Sequence, residues 1–155
     1  MADPQPAQGA DAQSVAEAVR TGMYERDRAA QALGIVVEAI GPGTARCRMT
    51  VRDDMAQGHG TCHGGLTFTL ADTAFAYACN AYNRATVALA AEIAFLAPAR
   101  AGQVLCATAR ERSRAGRTGI YDVEVTNGEG TLVALFRGTA YETRGEVVAP
   151  ARARE

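Results

Sequence analysis

The sequence predicts a single α+β domain, an antiparallel sheet of five to six strands wrapped around one long central helix. Two features carry this expectation. Residues 66–82, LTFTLADTAFAYACNAY, are apolar on nearly every face and hold one charge, Asp72; a helix of that kind is buried rather than laid on a surface. Around it lie segments that alternate apolar and polar residues between Gly-rich turns, the period of half-buried strands. A buried helix needs a concave partner, and a curled sheet supplies one. At 155 residues the chain fits one domain.

Each element follows from local chemistry. Residues 1–13 are rich in Ala, Pro, Gln and Gly and are expected to be flexible. Over 14–33, Val15, Ala18, Val19, Met23 and Ala30 recur near a 3.6-residue period. Ser14 with Glu17 makes a capping box, and Gly34 stops the helix. Segments 35–40 and 44–51 flank Gly41-Pro42-Gly43 and predict a hairpin. The Gly- and His-rich stretch 53–65 reads as loop, and the buried helix follows it. Segment 86–96 alternates Val87, Leu89, Ala91, Ile93 and Phe95 until Pro98 ends it. Segments 104–112, 119–126 and 131–141 complete the sheet, separated by RSRAGRT and NGEG turns. The domain is expected over 14–143, with 144–155 a frayed tail.

Composition excludes several chemistries. All 16 Lys-plus-Arg positions are Arg, so there is no Walker-type phosphate loop, no kinase lysine and no Schiff base. A net charge of −1 gives no overall footprint for nucleic acid. Cys47, Cys62, Cys79 and Cys106 form no C-x-x-C pair, which fits reduced thiols in a cytoplasmic protein. The first residues lack the apolar core of a secretory signal. No apolar run approaches the roughly 18 residues of a membrane helix, so no membrane partner is expected.

The chemistry concentrates between Gln57 and Asp72. A carboxylate in an apolar helix is expensive unless paired, protonated or functional. Just upstream, His63-Gly64-Gly65 sits where loop becomes helix, and glycines leave backbone N–H groups unshielded at the positive end of the helix dipole. Such donors bind a developing oxyanion, so an acyl-transfer site is one reading. The plain alternative is that Asp72 hydrogen-bonds a neighbouring loop and His63 caps the helix. A metal site on His59 and His63 lacks a third ligand, and the intervening glycines oppose the helix that would aim both. Cys62 beside His63 is poorly placed as a thiol nucleophile, because adjacent residues point apart; a small buried thiol is the simpler account. No G-x-S-x-G elbow occurs. Arg100, Arg110, Arg112, Arg114 and Arg117 form a basic concentration that either solvates a surface or meets phosphates such as those of coenzyme A.

The segment GHGTCHGGLTFTLADTAFAYACN resembles the signature of the hotdog-fold acyl-CoA thioesterases, most of all the PaaI type of aerobic phenylacetate degradation. ALGI at 32–35, FLAP and AGQVL within 95–105, GIYDVEV at 119–125 and VALFRG at 133–138 extend the likeness over about residues 23–141. The resemblance implies a hotdog fold, homodimers assembling to a homotetramer, and hydrolysis of an aryl-acetyl-CoA thioester, phenylacetyl-CoA or a ring-hydroxylated relative. It implies Asp72 as the catalytic carboxylate, Gly64 as the N–H that polarises the thioester carbonyl, His63 as its neighbour, and sites lying between subunits. Gln57 stands where the PaaI pattern has Asn. Gln is found there in some 4-hydroxybenzoyl-CoA thioesterases of the same fold, where it helps position water or substrate.

On this reading Asp72 attacks the carbonyl or activates water, and Gly64 stabilises the oxyanion, a contribution of about 3–4 kcal/mol. Gln57 orients water or carboxylate, while Arg100, Arg114 and Arg117 are the candidates for binding the CoA phosphates. Thiolate leaves readily, so neither a metal nor a cofactor beyond the CoA of the substrate is expected. The alternatives are a thioesterase for another aromatic or medium-chain acyl-CoA, a hydratase or dehydratase of the same fold using His63 and Asp72, and a non-catalytic acyl-CoA binding module.

Overall fold

Residues 64–80 form the axis on which the rest of the chain is arranged. The structure is a computed structural model and describes residues 8–149; positions 1–7 and 150–155 of the expected flexible ends lie outside the described residues. In chain order the elements are α1 (Gln8–Tyr24), α2 (Arg28–Ala32), β1 (Val36–Gly41), β2 (Thr44–Thr50), a 3-10 turn (Asp53–Met55), α3 (Gly64–Asn80), β3 (Thr86–Phe95), β4 (Val104–Ala115), β5 (Thr118–Thr126) and β6 (Leu132–Glu142). The strands form one antiparallel sheet in the order β1-β2-β4-β5-β6-β3.

The sheet curls over α3 because every second residue of its central strands is apolar and turned inward. Cys47 and Met49 of β2, Leu105, Ala107 and Ala109 of β4, and Tyr121, Val123 and Val125 of β5 are buried against Leu70, Ala71, Ala74, Phe75, Tyr77 and Ala78 of α3. Each large side chain so buried contributes roughly 1.5–3 kcal/mol. Register shifts at Val37/Ala39, Ala88/Ala90, Glu111/Ser113 and Val125/Thr126 add the local bends a curved sheet needs. Gly138 of β6 lets the sheet close on the helix: a Cβ there would stand 2.7 Å from Cζ of Phe75.

The first helical segment differs from expectation at both ends. It starts at Gln8, upstream of Ser14, and breaks after Tyr24. Asp27 Oδ1 accepts a hydrogen bond from the Ala30 N–H at 3.1 Å, which starts α2 instead of continuing α1. The seven-residue turn expected at RSRAGRT shrinks to Gly116-Arg117, since Ala115 pairs with Thr118. The tail expected to fray from Arg144 is tied down as far as Val148. Asn83 Oδ1 accepts from the Val147 and Val148 N–H groups, and its Nδ2 donates to the Val148 carbonyl.

At the sheet's end β3 pairs only with β6, leaving its other edge open. Val87 and Leu89 of this strand, and Leu96 beyond it, are half or more exposed. An apolar open edge of this kind is a template for pairing with another chain.

Candidate functional site

The start of α3 is held by the loop before it. Gln57 closes that loop on itself: its N–H donates to the Thr61 carbonyl at 2.8 Å, and its Nε2 donates to Thr61 Oγ1 at 2.8 Å. Its Oε1 accepts from the His59 N–H. The Cys62 N–H then donates to the Ala99 carbonyl at 2.7 Å and the His63 N–H to the Met55 carbonyl at 2.8 Å. These bonds fix where the helix begins.

A helix start leaves four N–H groups without intrahelical partners. Gly65 N–H donates to His63 Nδ1 at 3.0 Å, so His63 does cap the helix. The N–H groups of Leu66 and Thr67 both reach the His63 carbonyl, at 2.9 and 3.3 Å. The Gly64 N–H remains, and it donates to nothing among the described residues. It lies at the positive end of the helix dipole, where negative charge is favoured. Gly64 lines a cleft of about 330 Å³ together with Gln57, Thr61, Thr67, Phe95 and Leu96.

Asp72 lies two turns further along and is half-buried, with Phe68 four residues before it and Phe75 three after it on the same face of the helix. Its carboxylate has no hydrogen bond or ion pair among the described residues. The loop hydrogen bond that would have made it structural is therefore absent among those residues. Burial alone pushes its affinity for a proton above the usual carboxylate range. Eight residues of helix separate it from Gly64, about 12 Å of rise, so one thioester carbonyl cannot touch both within one chain.

Burial also raises the thiols. Cys79, about two turns beyond Asp72, is pushed up to about 12, and Cys62 is raised despite the hydroxyl of Thr67 at 3.8 Å. Neither offers a thiolate at neutral pH. Among the described residues no group of three or more His, Cys, Asp or Glu is placed to hold a metal.

The candidate arginines separate into two places. Arg100 is exposed and directly follows Ala99, which lines the Gly64 cleft and whose carbonyl holds Cys62. Arg114 and Arg117 lie at the far end of β4, about 34 Å along the strand. There they join Arg84, which sequence reasoning missed, around a small cavity of about 20 Å³. The Arg114 guanidinium stacks 3.7 Å from the centre of the Tyr82 ring, and Arg84 pairs with Glu142 at 3.5 Å. Phe95 was also missed as a site residue. Its one sequence signal is bulk, a large ring ending a strand otherwise rich in alanine.

A family model described as the thioesterase superfamily matches residues 59–134. The chain is 48% identical over 129 residues to the acyl-coenzyme A thioesterase PaaI of Escherichia coli strain K12, covering 83% of this chain and 92% of that protein. The solved structure of the PaaI protein from the E. coli phenylacetic acid degradation operon superposes with a TM-score of 0.85 at 46% identity, covering 86% of this chain and 97% of that one. A Streptococcus mutans UA159 protein bound to acetyl CoA superposes with a TM-score of 0.69 at 26% identity, over 72% of this chain and 90% of its own.

Proposed function

The chain belongs to the thioesterase superfamily and is an acyl-CoA thioesterase, and from that premise we propose that it hydrolyses aryl-acetyl-CoA esters. The substrate is phenylacetyl-CoA or a ring-hydroxylated phenylacetyl-CoA, and the products are the free acid and CoA, as part of phenylacetate degradation. The observation that carries the reading is the Gly64 N–H, a helix-terminal donor left unpaired at the wall of a cleft. It receives the thioester carbonyl oxygen and holds the charge that develops there.

Asp72 supplies the base. Its raised proton affinity suits removal of a proton from water as water attacks the carbonyl carbon. The tetrahedral intermediate then collapses, the C–S bond breaks, and CoA leaves as the thiolate. Gln57 has one Nε2 hydrogen on Thr61 and a second for water or ester, and His63 keeps Gly64 in place by capping the helix. No metal or further cofactor enters this chemistry. Single-turnover hydrolysis in ¹⁸O-water separates the base from a nucleophilic Asp72. With Asp72 as base all the label enters the product acid, whereas label in the Asp72 carboxylate requires the mixed anhydride, opened by water at its Asp72 carbonyl.

The 12 Å between Gly64 and Asp72 and the open apolar edge of β3 support a homodimer in which each site takes Gly64 from one subunit and Asp72 from the other. Pairs of dimers complete the tetramer. An antiparallel β3 pairing also carries Arg84, Arg114 and Arg117 of the partner subunit toward the Gly64 end, where with Arg100 they serve as the CoA phosphate contacts. No described helix is long and apolar enough to cross a membrane, and the four free cysteines suit the reducing cytoplasm, where CoA esters are made. Thiol release from phenylacetyl-CoA is the test of the activity, and sedimentation equilibrium is the test of assembly. A wild-type protein that binds the ester tightly without releasing thiol would be a binding module instead.

A further inference from the structure

We propose that Phe95 reads the acyl group: its ring is the wall against which the aromatic ring of the substrate packs when the thioester carbonyl is held at the Gly64 N–H. The inference rests on the thioesterase reading and goes beyond it by naming what selects an aryl-acetyl group.

The register of the sheet sets the direction of the ring. Ile93 pairs with Phe136 and Phe95 with Ala134, and both partners are buried against the helix. Side chains two apart on a strand share a face, so Ile93 and Phe95 look toward α3. The ring arrives end-on at Gly64. A Cβ on that glycine would lie 3.0 Å from Cζ and 3.2 Å from Cε1 of Phe95, tighter than ordinary packing tolerates. Glycine at 64 therefore does two things: it frees an N–H and it lets an aromatic ring stand beside it.

What remains is an aromatic side chain 57% exposed on the helix side of a sheet. Its open surface faces the cleft shared with Gln57, Thr61 and Thr67. On the same face of β3 it is preceded by Ile93 and Ala91, so Phe95 is the one aromatic ring this strand turns to the helix side. In an aryl-acetyl thioester a single methylene separates the carbonyl from the ring. Once the carbonyl oxygen is on the Gly64 N–H, that ring falls within contact distance of Phe95. Edge-to-face or offset packing is then available, and it is denied to a straight alkyl chain.

The experiment compares kcat/KM for phenylacetyl-CoA and hexanoyl-CoA by thiol release, in wild type, Phe95→Leu and Phe95→Tyr. Taking the ratio for the two esters cancels losses of folded enzyme or of dimer, which sedimentation equilibrium follows in parallel. Leu keeps apolar bulk without a ring, and the ratio is expected to fall by roughly 2- to 12-fold. Tyr keeps the ring, and its ratio is expected to stay near that of wild type. An unchanged ratio in Phe95→Leu overturns the proposal, whether both rates fall together or neither does. Should Phe95→Leu fail to fold, a Phe95→Tyr ratio as low as that of an alkyl-preferring enzyme overturns it as well. Failure of the thioesterase reading looks different, because wild type then releases thiol from neither ester.

Discussion

At its C-terminal end α3 delivers Asn80, whose Nδ2 donates to the carbonyls of Ala76 and Thr86 at 2.9 and 3.0 Å and whose Oδ1 accepts from the Thr86 N–H at 2.9 Å. Beside it, Glu111 Oε2 accepts from both the Tyr82 and Tyr121 hydroxyls, at 3.0 and 2.8 Å. At its N-terminal half the same helix leaves the Gly64 N–H and the Asp72 carboxylate without partners. The helix thus ties its C-terminal polar groups into the fold and leaves two half-exposed groups unpaired in the half where the proposed chemistry takes place. One helix carries both regimes, and the difference between them should be measurable as a split between stability and rate.

Asp72→Asn attacks the unsatisfied half and should show the largest effect. kcat for phenylacetyl-CoA is expected to fall by about 10²- to 10⁴-fold, the usual weight of a positioned general base, with a thermal unfolding midpoint no lower than that of wild type. Near-normal turnover in a folded Asp72→Asn enzyme would break the comparison. Asn80→Ala attacks the satisfied half. It strands the Thr86 N–H and carbonyl inside the protein and should cost about 2–4 kcal/mol in urea unfolding. Turnover per folded molecule should be unchanged.

His63 sits between these regimes, as both a cap and the neighbour of the donor. His63→Ala removes the acceptor of the Gly65 N–H, a loss of about 1 kcal/mol of stability. Wherever that bond also steadies Gly64, kcat falls by up to about tenfold. A variant that loses stability but no turnover would confine His63 to the satisfied half.

The helix and the strands were legible because their signals are local: continuous apolarity over α3, and period-two alternation from β3 to β6. The break at Asp27 was not, since Ala30 continues the apolar period across it and the cap wins only through one side-chain bond. At the site, Asp72 stood out as the one charge in an apolar helix, and Gly64 as a glycine at a helix start. Proximity in sequence misled for the arginines. Arg100 and Arg114 look neighbourly along the chain, yet an extended strand carries them to opposite ends of the sheet. Phe95 was hidden for the opposite reason: its meaning depends on Gly64, thirty-odd residues away, and no local pattern links the two.

The smallest predicted effect concerns stability against pH at Asp72. Burial raises the pKa of this carboxyl in the folded state above its unfolded value, near 3.9. Between the two values the folded protein holds the proton that the unfolded chain has lost. The contribution of Asp72 to stability is thus fully present below about pH 4 and is lost as pH rises through the folded-state value. Asn carries no charge and feels none of this. Asp72→Asn should then unfold at a slightly higher temperature than wild type at pH 7, and the gap should close as both are taken toward about pH 4. Other carboxyls titrate equally in the two proteins and drop out of the difference. Because the side chain is half in solvent, the gap is small. A gap of the opposite sign at pH 7 would mean that the charge is stabilised by a partner, and the unsatisfied half of the helix would not be unsatisfied after all.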